Sequence, residues 1–168
     1  MAKKTIIFYN PVAPYYTQPL QFLALASVVD KEKYDIKIID ARIEESARHA
    51  HEKVKELLPN AVCLGVSIIT GIPIKDAVAI SQMTKSLAPD VPVVWGGWHP
   101  SIYPEQCIRE GYADYCVFGQ GELTFVELLE AFESMTGFEK IHGLAYLNCG
   151  KFYQNEPRKF LDINRFPA

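Results

Sequence analysis

Two glycine segments hold the residues best placed for chemistry. The first is Trp95-Gly96-Gly97-Trp98-His99-Pro100, at the end of an apolar run. Paired glycines there let a ligand approach the backbone where a Cβ would clash, or simply make a tight strand-to-helix turn. The second is Gly119-Gln120-Gly121-Glu122, just ahead of a helix-period segment. Free N–H groups at a helix start accept anions or carbonyls. Glu122 there also suits the helix dipole, which is reason enough for it structurally. The pattern is not GxGxxG, so the dinucleotide fingerprint fails. Ser67-Ile68-Ile69-Thr70-Gly71 offers two hydroxyls as ligand donors or as helix caps. Asn10-Pro11-Val12-Ala13-Pro14-Tyr15-Tyr16 is stiff, and its tyrosines suit a wall for a large apolar ligand or for a neighbouring domain. It lacks the Ser/Thr/Gly phosphate loop of a flavodoxin. Of four histidines, only His99 falls at this edge, as ligand, donor or cap. His49 and His51 point to different faces of a helix and read as solvent residues. No hydrolase elbow, P-loop or Ser/His/Asp arrangement is present. We expect a binding module with no catalytic residue of its own.

These segments need a scaffold that brings them together. Strand-length apolar runs cover 5–9, 34–40, 61–66, 91–95 and 115–118. Helix-period segments cover 17–29, 46–58, 72–87, 104–109 and 122–132. In the first helix, Thr17 is the expected cap, Pro19 falls in the first turn, and Leu20, Leu23, Ala24 and Ser27 share one face. The alternation predicts an α/β, doubly wound Rossmann-like (flavodoxin-like) fold with a five-stranded parallel sheet of order 2-1-3-4-5. Leu144–Leu147 and Lys151–Gln154 flank Asn148-Cys149-Gly150 and predict a C-terminal β-hairpin. In such a sheet, the loops after the strands meet at one edge, where ligands bind.

Composition narrows the classes further. The 168 residues suit one domain, and 49% hydrophobic residues exclude disorder. Seventeen basic residues against 20 acidic give a net charge of −3, with no basic field for nucleic acid or anionic lipid. Cys63, Cys107, Cys116 and Cys149 form no CxxC pair and no CxxxCxxC iron–sulfur motif, so no metal site is expected. The first three sit in apolar patterns and read as buried thiols, which suits a reducing cytoplasm. The apolar run after the basic start is too short for a signal peptide, and no stretch reaches the ~18 residues of a membrane span.

The run VVWGGWHPSIYPEQCIREGYADYCVFGQGELTFVELLEAF strongly resembles the cobalamin-binding domain of cobalamin-dependent radical SAM enzymes. The matching positions are Gly96, Gly97, His99, Pro104, Glu105, Asp114, Gly119, Gly121 and Glu122. The opening strand, Asn10-Pro11 and the Pro19-Leu20 helix also fit. Within that family the chain is most similar to the anaerobic magnesium-protoporphyrin IX monomethyl ester cyclase-like group. There is one departure. Methyltransferase and mutase cobalamin domains carry D-x-H-x-x-G after the second strand, and its histidine ligates cobalt. This chain has Asp40-Ala41-Arg42-Ile43-Glu44-Glu45. Arginine stays protonated and cannot replace imidazole as a ligand.

The resemblance implies cobalamin bound without a lower histidine ligand. Its nucleotide tail would thread between sheet and helices, with Gly96 and Gly97 giving room. Ser67, Thr70, Gly71, His99 and the backbone of Gly119, Gly121 and Glu122 would surround it. The corrin would lie near Asn10, Tyr15 and Arg42. It implies a cobalamin domain over 1–140, the hairpin over 141–156, and over 157–168 a linker toward a radical SAM domain. That downstream domain would hold the iron–sulfur cluster and S-adenosylmethionine. A contrasting expectation is a vestigial domain, a scaffold or substrate-recognition lobe whose groove is filled by Trp98 or Tyr15. A response-regulator reading fails for want of an acidic cluster after the first strand.

Overall fold

Strand β1 (Lys4–Asn10) must lie inside a sheet covered on both faces, because its last six residues are all buried. It pairs in parallel with β2 (Tyr34–Asp40) on one side and β3 (Ala61–Ser67) on the other. Strands β4 (Val93–Gly96) and β5 (Tyr115–Val117) follow β3, also in parallel. The expected order 2-1-3-4-5 is therefore present. The computed structural model describes residues 3–16, 18–162, 164 and 166. The expected cap Thr17 and, in the final segment, Ile163, Arg165, Pro167 and Ala168 lie outside the described residues.

The sheet has seven strands rather than the expected five. The hairpin, β6 (Leu144–Asn148) and β7 (Lys151–Gln154), joins the sheet antiparallel to β5. Strand β6 thereby covers backbone groups that β5 would expose at an edge. Cys149 (φ 50°) and Gly150 (φ 77°) take the left-handed pair that a two-residue hairpin turn needs.

Strand periodicity divides the core in two. Ile7, Tyr9, Leu64, Val66, Val93 and Trp95 face α2 (Ala47–Leu57), α3 (Pro73–Leu87) and α5 (Pro104–Arg109). The Trp95 indole N–H donates to Ser81 Oγ at 2.9 Å, so its burial leaves no orphan donor. Ile6, Phe8, Cys63, Val94 and Val117 face α1 (Leu20–Val28) and α6 (Glu122–Ser134). Cys63, Cys107 and Cys116 are all buried free thiols, as expected.

Two local expectations are corrected. In α1 the face of Leu20 and Leu23 is not the buried one; they are 62% and 51% exposed. Phe22 is buried instead, stacked on Phe8 with ring centroids 4.8 Å apart. An aromatic ring buries more area than a leucine and decides the rotation. Pro19 is the residue before the helix rather than inside its first turn. Second, Trp98–Ile102 forms a short helix, α4, where a loop was expected.

Candidate cofactor site

The parallel strands end at one edge, and two adjoining cavities open there. The first, of about 340 Å³, lies between the sheet and helices α1 and α6. Phe8, Phe22, Val94, Val117 and Phe125 make its apolar walls. Gly65, Gly96, Gly97, Gly119 and Gly121 also line it, and Ser67, Gln120 and Glu122 add polar lining. The second, of about 260 Å³, is lined by Asn10, Pro11, Tyr15, Arg42, Ile69 and Trp98, among others. Gln21, Ser67 and Gly97 line both, so the groove is continuous with the crevice above the strand ends.

The glycine pair divides into two jobs. A Cβ on Gly97 would stand 2.8 Å from the Ile68 carbonyl oxygen and 3.0 Å from its nitrogen. Its backbone, φ 97° and ψ −165°, is in a region that is nearly glycine-only. Gly97 is thus demanded by the protein's own β3 loop: the His99 N–H donates to Ile68 O at 3.0 Å across it. A Cβ on Gly96 would meet only Val117 O, at 3.9 Å. Gly96 is the glycine that keeps the groove open.

Asp40 and Arg42 form a closed pair at the crevice. Arg42 Nε donates to Asp40 Oδ1 at 2.8 Å and Nη2 to Oδ2 at 2.7 Å, a bidentate fork. Both side chains are nearly buried, at 6% and 5% exposure. Burial pushes the Asp40 carboxyl up, but the hydrogen bonds and charge of Arg42 outweigh it and hold it below 3.8. With its carboxamide oxygen turned to the guanidinium, Asn10 accepts from Arg42 as well. The Tyr16 ring lies 5.4 Å from the guanidinium carbon. Thr70 and His99 sit outside both cavities, joined to each other at 3.2 Å between Oγ1 and Nδ1. Partial burial lowers the His99 pKa. Gly71 also lies outside the cavities.

Sequence reasoning missed a polar cluster under the crevice. Asp76, in the first turn of α3, accepts from Tyr9 Oη at 2.7 Å and from the Val12 N–H at 2.9 Å. His51 Nε2 lies 2.7 Å from its other oxygen. His51 is therefore not a solvent residue; its side chain is mostly buried on this pair. Asp76 pins the loop after β1, whose Pro11, Ala13 and Tyr15 line the crevice. Burial pushes its pKa up, but the hydrogen bonds from His51, Val12 and Tyr9 outweigh this and hold it below 3.8.

The model of the B12 binding domain matches residues 8–129. The chain belongs to the B12-binding domain family. An uncharacterized methyltransferase of Pyrococcus horikoshii is 35% identical over 152 residues, covering 89% of this chain and 32% of that protein. The chain spans about a third of the length of the curated relatives it matches. The cobalamin-dependent S-adenosylmethionine radical enzyme OxsB, with aqua-cobalamin bound, superimposes with a TM-score of 0.79 at 18% identity. That match covers 94% of this chain and 23% of OxsB. The radical S-adenosylmethionine methyltransferase TsrM from Kitasatospora setae, with cobalamin and a 4Fe–4S cluster bound, gives 0.77 at 20% identity. There the match covers 96% of this chain and 30% of TsrM. At these identities the likeness is one of fold.

The cavities of this B12-binding domain suit the group its family name implies. The apolar slot, open over Gly96, has the shape and lining that a flat aromatic base would need. The adjoining crevice above the strand ends accepts a broader ring. Gly65 serves a different purpose: a Cβ there would meet the Phe8 ring at 2.9 Å, so it lets that wall of the slot pack against β3.

Proposed function

We propose that this chain binds cobalamin, as the cofactor-carrying domain of a larger radical SAM enzyme. The observation that carries the reading is the apolar groove, floored by Gly96 and continuous with the crevice at the strand ends. The nucleotide tail would occupy the groove, with Ser67 and the backbone of Gly119, Gly121 and Glu122 as its polar neighbours. The corrin would lie over Asn10, Tyr15 and Arg42. Thr70, Gly71 and His99 would form the outer rim, where the exposed Thr70–His99 pair faces solvent. When bound, cobalamin supplies the cobalt chemistry, and the protein supplies position and shape.

Arg42 argues for a cobalt face without a lower histidine ligand. Its guanidinium is paired with Asp40 and, being protonated, cannot coordinate metal. The pair also leaves the crevice floor electrically neutral. The relatives named as methyltransferases favour methyl transfer over oxidative cyclisation for the parent protein. We read 1–140 as the cobalamin domain, 141–156 as its hairpin and 157–168 as the lead into a downstream domain. That domain would hold the iron–sulfur cluster and S-adenosylmethionine. Buried free thiols and the absence, among the described residues, of a helix long and apolar enough to cross a membrane fit a cytoplasmic enzyme.

The vestigial reading requires a filled groove. Trp98 is 72% exposed and Tyr15 is half exposed, and neither lines the groove between sheet and helices. The test is direct. Hydroxocobalamin is added, excess is removed by desalting, and the visible spectrum is recorded. Retained corrin bands are expected; their absence in a folded protein would refute the reading. Axial nitrogen coupling in the electron paramagnetic resonance spectrum of the reduced, loaded domain that changes when the protein's histidines are labelled with 15N would refute the absence of a histidine ligand.

A further inference from the structure

After β7 the chain does not leave the domain. It turns back across the start of α6. The Gly143 N–H donates to Glu156 O at 2.9 Å. Arg158 Nε donates to Thr124 Oγ1 at 2.8 Å, and its Nη2 pairs with Glu127. Three residues later comes a reciprocal amide pair: the Leu161 N–H donates to Gln120 Oε1 at 2.8 Å, and Gln120 Nε2 donates to Leu161 O at 3.3 Å. Both ends of the Gln120 side chain are thus used on the backbone of one strap residue, Leu161.

Phe160 sits between these two fixed points. It is 82% exposed, yet it lines the apolar groove beside Gln120 and Phe22. A ring held in water on both sides by hydrogen-bonded anchors, next to an apolar cavity, gains burial only when the cavity is filled.

We propose that Phe160 closes over the nucleotide tail, and that Gln120 is the positioning residue that holds it there. The tail's aromatic base and the ring would cover each other, and the groove would lose its contact with solvent. This rests on the cobalamin reading above. It goes beyond that reading in making the segment after the hairpin part of the binding site rather than only a linker.

The test compares release of hydroxocobalamin and of cobinamide, which lacks the nucleotide tail, from the loaded 168-residue chain. Phe160→Ala is expected to release cobalamin about 10- to 100-fold faster and to release cobinamide at the wild-type rate. Phe160→Leu should recover most of the retention. Gln120→Ala should accelerate release in the same direction and, without ligand, speed hydrogen exchange at the Leu161 amide. Wild-type release from Phe160→Ala overturns the inference, as does equal acceleration for cobinamide. Failure of the wild-type chain to retain cobalamin refutes the cofactor reading and this inference with it. Retention in the wild type with no change in either variant refutes this inference alone.

Discussion

The two glycines of the Gly96-Gly97 pair should respond in opposite ways to the same methyl group. At Gly96 an added Cβ meets only Val117 O, at 3.9 Å, and projects into the groove. The backbone there is ordinary strand, so alanine narrows the unfolded ensemble without strain. Stability should hold or rise by about 0.4–1 kcal/mol. Binding should suffer, because inserting a methyl into a filled slot costs about 1–3 kcal/mol. That is about a 5- to 150-fold increase in Kd for cobalamin. At Gly97 the same methyl meets Ile68 O at 2.8 Å, at a backbone angle that only glycine adopts freely. The strain of about 1–3 kcal/mol falls on the fold. It would lower Tm by about 2–12 °C for a domain of this size. The assays are thermal unfolding by circular dichroism and titration with hydroxocobalamin followed in the visible range. Cobinamide serves as control and should bind Gly96→Ala like wild type. Undiminished cobalamin affinity in Gly96→Ala would refute passage of the tail past Gly96. A Gly97→Ala protein as stable as wild type would refute the assignment of Gly97 to the fold.

Other perturbations separate the polar supports of the crevice. Arg42→Ala leaves Asp40 buried without its cation and should cost about 3–5 kcal/mol in denaturant unfolding. Asp76→Ala removes the acceptor of Tyr9, Val12 and His51 together. A loss of about 2–4 kcal/mol is expected, with faster hydrogen exchange at the Val12 amide. Asp40 and Asp76 both have native pKa values held below their unfolded value of 3.8. Their stabilisation is complete above that value and is lost as pH falls through the lower native pKa. Stability measured from pH 6 downward should therefore stay level until about pH 4 and then drop. The acid slope should be shallower in the double variant Asp40→Asn, Asp76→Asn.

The parallel strands were legible because burial on both faces leaves an unbroken apolar run, as in Ala61–Ser67. The hairpin was legible from its turn, but not its docking on β5, which depends on an edge that only the assembled sheet has. Helix α1 is apolar nearly all round, so its period had no phase to read; contact with Phe8 chose Phe22. The glycine doublet stood out, but nothing local distinguishes Gly96 from Gly97. The difference comes from Ile68, on a neighbouring strand's loop. Gly65 escaped notice inside an apolar run, although a glycine interrupting a buried strand is a signal of close approach. A Cβ there would stand 2.9 Å from the Phe8 ring. The His51–Asp76 pair joins two helices 25 residues apart and had no local signature.

The two cavities imply different sources of affinity. The carboxylates under the strand-end crevice are already engaged by the protein itself: Asp40 is paired with Arg42, and Asp76 accepts from Tyr9 and Val12 and lies against His51. Such groups fix the shape of the floor and offer a ligand little new attraction. The groove, by contrast, is apolar and already open, with Phe8 against both Phe22 and Phe125 in its walls. No core needs to rearrange before a flat base enters, so the burial of that base is not offset by ordering of the protein. Most of the binding free energy should then come from the tail, and discrimination between cobalamin and cobinamide measures it. On the proposed reading, such a domain would hold cobalamin by the end that does no chemistry. The reactive face of the ring is left to whatever packs above the strand ends.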